Sequence, residues 1–236
     1  MSVKQVTLLN KKAASVKSLT ELFSILLEEN LGELVFSTSL GQEDQVLTHH
    51  IATNSYPIEI FTLDTGRLFQ ETYDVLSNTK QKYKVPIKVY TPDSQKVAEL
   101  VTEKGPNSFY DSVENRKECC SIRKIEPLKR ALNGKAVWIT GLRQAQSANR
   151  KTLELFSYDA SFAIIKFNPL RSWTLNDVTK YLDKHQVPQN TLHQKGYISI
   201  GCAPCTRATE ADEDIRAGRW WWETSKKECG LHTIKS

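Results

Sequence analysis

The sequence predicts an α/β fold in which a parallel sheet is covered by helices on both faces. Three observations predict it. Short apolar, β-branched runs recur as far as residue 167; segments with apolar residues three and four apart follow them; several runs end in small and polar residues. Strands that alternate with helices need crossover connections, and crossovers give parallel sheets with helix-covered faces.

In chain order, residues 16–30 set Leu19, Leu22, Phe23, Leu26 and Leu27 on one helical face. Residues 33–37 read as a buried strand that closes on Thr38-Ser39-Leu40-Gly41, and a helix is predicted over 43–52. Strand 58–63 precedes a helix over 67–83, and strand 87–90 a helix over 94–104. After Cys119-Cys120 a helix is predicted over 125–132, followed by strands at 136–140 and 162–167. Thr174 caps a last helix that runs to His185. Beyond Val187 the chain is rich in Gly, Pro, His and Cys with little periodicity, so we expect a nucleotide-binding domain over 1–187 and an arm over 188–236.

Composition narrows the class. The 236 residues are 39% hydrophobic and 25% charged, long enough for a sizeable core. No apolar run approaches the roughly 20 residues that span a bilayer, and the N-terminus lacks an apolar signal region, so no membrane association is expected. An odd cysteine count with a vicinal pair fits a reducing, cytoplasmic setting. The net charge of +5 is spread along the chain rather than massed in a stripe, so no nucleic-acid partner is expected.

In parallel sheets ligands bind beyond the carboxyl ends of the strands. Ser37, Thr38 and Ser39 supply hydroxyls there, and Gly41, Glu43 and Asp44 lead into the next helix, whose first amides attract an anion, so all six are candidate substrate-binding residues. There is no lysine for a γ-phosphate, so the guest is a shorter polyphosphate or a phosphosulfate. A plain strand–helix turn would look similar. Leu63, Asp64, Thr65 and Gly66 close the next strand, and Gly141 and Arg143 close a later one, the glycine for close approach and the arginine for an anion; all six are candidate substrate-binding residues. Three such strand ends favour a nucleotide pocket.

These loops, with Thr140-Gly-Leu-Arg143 and the Glu-Cys-Gly-Leu-His tail, resemble the assimilatory adenylylsulfate/phosphoadenylylsulfate reductase family from residue 33 to 232. The resemblance implies an adenine-nucleotide alpha-hydrolase-like domain of the ATP-pyrophosphatase type. It also implies reduction of an activated sulfate, adenosine 5'-phosphosulfate, to sulfite with electrons from thioredoxin or a glutaredoxin-like reductant.

The cysteines carry the redox reading. Cys119-Cys120 and Cys202-Ala-Pro-Cys205 make four thiols in two close pairs, a donor set for zinc or for an iron–sulfur centre; buried inert cysteines are the plain alternative. The family resemblance implies a 4Fe-4S cluster on these four residues, and with it the unphosphorylated substrate. Cluster-bearing relatives that accept both substrates keep phosphoadenylylsulfate open. By the same resemblance Lys124 bridges cluster and substrate, and Arg216 and Arg219 bind the phosphosulfate, where guanidinium geometry suits the oxygens. Solvated or surface-paired cations are the ordinary alternatives. Trp220–Trp222 are read as packing the arm down, or as a docking surface for a protein electron donor.

The fifth thiol, Cys229, is the expected nucleophile. Sulfur in an activated sulfate is electrophilic, and a thiolate that displaces AMP becomes an S-sulfocysteine, from which a second thiol releases sulfite. Lys226, Lys227 and His232 would favour its thiolate. An ATP-using adenylating or thiolating enzyme on the same fold is the rival activity, and a metal-stapled binding module the rival without chemistry. Self-association into a homo-oligomer is not decided by the sequence.

Overall fold

The computed structural model describes residues 3–147, 150–210 and 212–223. Helices α1 (Val3–Lys12) and α2 (Leu19–Glu28) lead into β1 (Leu34–Ser37), α3 (Gln42–Thr53), β2 (Glu59–Leu63), α4 (Gln70–Tyr83), β3 (Ile87–Tyr90) and α5 (Ser94–Lys104). Then follow α6 (Val113–Cys120), a π-helical turn at Ser121–Ile125, α7 (Glu126–Leu132), β4 (Val137–Ile139), β5 (Phe156–Asp159), β6 (Ile164–Phe167) and α8 (Leu175–Lys184). None of the described helices is long and apolar enough to cross a membrane.

The described strands form one sheet in the order β3-β2-β1-β4-β6-β5. β1 runs parallel to β2 and β4, and β4 to β6; β5 is antiparallel to β6. The sheet is therefore mixed, where the sequence predicts a parallel one. β5 escapes the pattern because it is an edge strand in which, of Phe156–Asp159, only Phe156 is buried. Its backbone is covered: the Asn10 amide of α1 donates to the Phe156 carbonyl at 2.8 Å and accepts from its N–H at 3.0 Å, which blocks pairing with another strand.

The chain divides into two compact units. The first comprises the described residues of Met1–Phe61 with Val75–Lys88 and Leu132–Gln189. It holds the main core, in which Phe23 stacks on Tyr56 at 5.2 Å and meets Phe167 edge-on at 5.4 Å. Such aromatic pairs add about 1 kcal/mol each beyond area burial. Ser18 caps α2, and Thr174 with Asp177 closes a capping box on α8.

The second unit comprises Thr62–Asp74, Val89–Ala131 and the described residues of Asn190–Ser236. Its small core gathers Phe109, Cys202, Cys205 and Trp220, with Cys119 and Trp222 packed on it. Residues from Asn190 on group with it through hydrogen bonds, among them Asn190 Nδ2 to Thr72 Oγ1 (3.2 Å) and Ala203 N to the Arg67 carbonyl (2.8 Å). A buried pair, Arg116 and Glu223, joins them with Nε–Oε1 at 2.7 Å and Nη2–Oε2 at 2.9 Å.

Candidate functional site

In the first unit, the β1 loop and the β4 loop interlock. Thr38 extends the ladder by donating its N–H to the Phe61 carbonyl (2.8 Å), and its hydroxyl accepts from Leu40 N (3.0 Å). Leu40 takes a left-handed φ of 62°, which turns the chain into α3. The N-cap, Gly41, has no side chain to cap α3, so the first turn keeps the amide character that attracts anions. The Ser37 hydroxyl accepts from Trp138 Nε1 at 2.8 Å.

Two carboxylates tie this loop down. Asp44 Oδ2 accepts from both the N–H and the hydroxyl of Ser39, each at 2.6 Å, and the carboxylate also accepts from the Gly141 N–H. Burial pushes the Asp44 carboxyl up to about 6, against the pull of the Ser39 and Gly141 hydrogen bonds. Glu43 accepts from Arg143 Nε at 2.8 Å and Nη2 at 2.7 Å, and Arg143 Nη1 reaches the Trp173 carbonyl. Arg143, expected to face an anion, is buried in this pair.

In the second unit, the four paired thiols line one pocket with Arg67, Arg123, Lys124 and Trp220. Cys119 and Cys120 close α6, just where the backbone widens into the π turn. Such insertions re-aim side chains at functional sites. Cys202 and Cys205 bracket a short 3-10 turn, and the exposed Tyr110 fixes it by donating its hydroxyl to the Pro204 carbonyl at 2.6 Å. Thr65, two residues past the end of β2, is buried with its hydroxyl 3.3 Å from Cys202 Sγ, while its carbonyl accepts from Arg123 Nη1 at 2.7 Å. Gly66 turns the chain here with a left-handed φ of 69°, and Asp64 Oδ1 accepts from the Gly66 N–H and the Tyr73 hydroxyl, both at 2.8 Å.

The pocket divides the thiols electrostatically. Burial pushes Cys205 up to about 12, and burial also raises Cys119. Burial acts on Cys202 the same way, yet Lys124, the Thr65 hydroxyl and Arg219 together hold it below the ordinary thiol value. Arg219 lies 4.8 Å over the Trp220 ring and donates to the Ile200 carbonyl at 3.2 Å. It seats where Gly201 leaves room, since a Cβ there would come within 2.2 Å of it. Arg216 is half-buried in the segment before it.

The pocket suits a thiolate-bound metal–sulfur group. Four soft donors and neighbouring cations match such a group's chemistry, and the buried N–H groups of Arg123 (Nε) and Trp220 (Nε1) have no hydrogen-bond partner in the described structure. Among the described residues, no three His, Cys, Asp or Glu side chains are grouped to hold a single metal ion. Cys229, with Lys226, Lys227 and His232, lies outside the described residues.

The structure therefore brings Thr65, Lys124 and the four cysteines together in one unit, and Ser39, Glu43, Asp44, Gly141 and Arg143 in the other. Sequence reasoning passed over Arg116 and Glu223, and gave Arg123 no site role. The signal for Arg123 was its place four residues after Cys119, one helical turn along the same face.

The profile of the phosphoadenosine phosphosulfate reductase domain matches residues 33–208. Adenosine 5'-phosphosulfate reductase of Allochromatium vinosum is 47% identical, covering 96% of this chain and 87% of that protein. The enzyme of the same name from Neisseria meningitidis serogroup A is 49% identical over 84% of this chain and 82% of its own. Among solved structures, phosphoadenylyl-sulfate reductase from Candida auris aligns with a TM-score of 0.74 at 26% identity, covering 88% of this chain and 98% of that one. FMN adenylyltransferase of Candida glabrata shares the fold at a TM-score of 0.54 and 16% identity, covering 93% of this chain and 74% of that one.

Proposed function

The chain belongs to the phosphoadenosine phosphosulfate reductase family of oxidoreductases acting on sulfur, and from that premise we propose that it reduces adenosine 5'-phosphosulfate to sulfite and AMP in sulfate assimilation. The observation that carries the reading is the match to adenosine 5'-phosphosulfate reductases over nearly the whole chain, together with four thiols around one pocket. We assign the β1 and β4 loops to the nucleotide, with Ser37, Thr38 and the amides at Gly41 nearest the anion. Lys124, Arg216 and Arg219 receive the sulfate charge.

Cys119, Cys120, Cys202 and Cys205 would hold a 4Fe-4S cluster. The group would supply a compact negative charge that fixes the surrounding cations and offers sulfur acceptors to buried N–H donors. Lys124 acts on Cys202 across this pocket and carries positive charge for an incoming sulfate.

The bond changes fall to Cys229. Its thiolate attacks the sulfonyl sulfur; the S–O bond to AMP breaks, and AMP leaves with the electron pair. A reductant thiolate then attacks Cys229 Sγ and expels sulfite with the pair from the sulfur–sulfonate bond. The reductant's second thiol resolves the mixed disulfide, so thioredoxin or a glutaredoxin-like protein supplies the two electrons. The free thiols of the described chain suit a cytoplasmic setting. Phosphoadenylylsulfate is the second reading, favoured by the fold match to the Candida auris enzyme. Sulfite release with each nucleotide under a thioredoxin system tests both. Turnover of neither overturns the proposal, and faster turnover of the phosphorylated nucleotide transfers it to the second reading.

A further inference from the structure

We infer that Asp44 is a positioning residue: a buried clasp that fixes the β1 loop to the β4 loop and so sets nucleotide affinity without touching the nucleotide. The inference rests on the substrate reading above. Its geometry is closed. Oδ2 takes the Ser39 N–H and hydroxyl, and the carboxylate reaches over to the Gly141 N–H. Gly141 is shaped to receive it, because a Cβ at that position would stand 2.2 Å from Oδ1 and 3.1 Å from Glu43 Cβ. A parallel clip, Glu43 to Arg143, joins the same two loops beside it. The α3 start is thus fastened twice to the loop after β4.

A carboxylate that served as a ligand here would face a phosphosulfate with like charge. One that faces inward with its acceptors occupied repels little and shapes much. The chemistry also explains why the residue is an acid and not an amide. N–H donors approach from both loops, and an asparagine offers one acceptor oxygen while turning its own NH2 toward the other donor.

The charge is not there for stability. Burial first, then neighbouring Glu43, lifts the Asp44 carboxyl from 3.8 to about 6 despite the hydrogen bonds from Ser39 and Gly141. A carboxyl raised in the folded state binds its proton more tightly there than in the unfolded chain. Its contribution to stability is therefore full below the unfolded value and is lost as pH rises through about 6. At neutral pH the ionised form costs stability, and what it returns is loop geometry. The charged groups facing it are Glu43 on α3 and, through Glu43, Arg143 of the β4 loop.

The test compares the full-length enzyme with Asp44→Asn, measuring AMP affinity by calorimetry and KM and kcat for adenosine 5'-phosphosulfate from pH 5 to 8. Losing a charge-assisted hydrogen bond should weaken AMP binding and raise KM by about ten- to a hundredfold, with kcat at saturation within about threefold. The denaturation midpoint at neutral pH should hold or rise. Wild-type KM should climb as pH falls through about 6, and the Asp44→Asn profile should lose that inflection. Unchanged affinity, or a wild-type KM with no inflection there, would overturn the clasp. Gly141→Ala gives the second route, with a similar KM defect and no further loss when combined with Asp44→Asn; additive losses would also overturn it. AMP calorimetry reads the clasp without turnover, so an enzyme that binds AMP as expected yet makes no sulfite sinks the substrate reading alone.

Discussion

The β1–β4 loops and the four-thiol pocket handle charge in opposite ways. In the loops, Asp44 is saturated by Ser39 and Gly141, and Glu43 closes on Arg143. In the pocket, Arg67, Arg123 and Lys124 gather around thiols, and two buried N–H groups lack partners. The first region is complete in itself and so preorganised. The second sets cations against four thiols and leaves the Arg123 Nε and Trp220 Nε1 donors unmatched, which is why we assign it a bound metal–sulfur group and an anionic substrate. One fixes shape and the other carries charge.

If that division holds, the largest effect belongs to neither region. Cys229→Ser should lower kcat by about 10³-fold or more, while iron and acid-labile sulfide stay at wild-type levels. Activity in that variant would remove the nucleophile from the account. Next in size, Cys202→Ala should strip most of the iron and sulfide after anaerobic purification and leave AMP affinity in the first unit's loops nearly intact. Iron retained at full stoichiometry would separate the pocket from the cluster.

The sequence made the strands legible and left their fastenings hidden. β1 and β2 are short, mostly apolar runs, β4 is apolar throughout, and β3 matches at both ends. α6 was missed because Val113–Cys120 is polar on every side and carries no helical stripe. α1 was missed as well, its few apolar residues being diluted by polar ones. The thiol set was legible because thiols in close pairs have few uses. Asp44 was read as a ligand because its partners belong partly to a loop near residue 141, and sequence does not show which way a carboxylate faces. Arg143 likewise has its acid 100 residues away. Arg116 and Glu223 gave no signal, since each reads as a surface charge until both are seen buried.

That last pair sharpens the comparison on stability. Glu223→Ala takes the bidentate carboxylate away from buried Arg116, whose guanidinium lies 4.7 Å over the Trp220 ring. Breaking such a pair should cost about 3–5 kcal/mol in denaturant unfolding, with a loss below about 1 kcal/mol placing the pair among incidental contacts. Lys124→Gln should be milder. Removing one cation facing an anion predicts a drop in kcat/KM of about ten- to a hundredfold, with AMP affinity unchanged because AMP lacks the sulfate. A parallel loss of AMP affinity would move Lys124 to the nucleotide.

The most direct measurement mixes the enzyme with adenosine 5'-phosphosulfate in the absence of any reductant and maps the modified peptide by mass spectrometry. The account predicts that the peptide holding Cys229 gains the mass of one SO₃, lost again on adding reduced thioredoxin. A stoichiometric release of AMP with that peptide unmodified would contradict it.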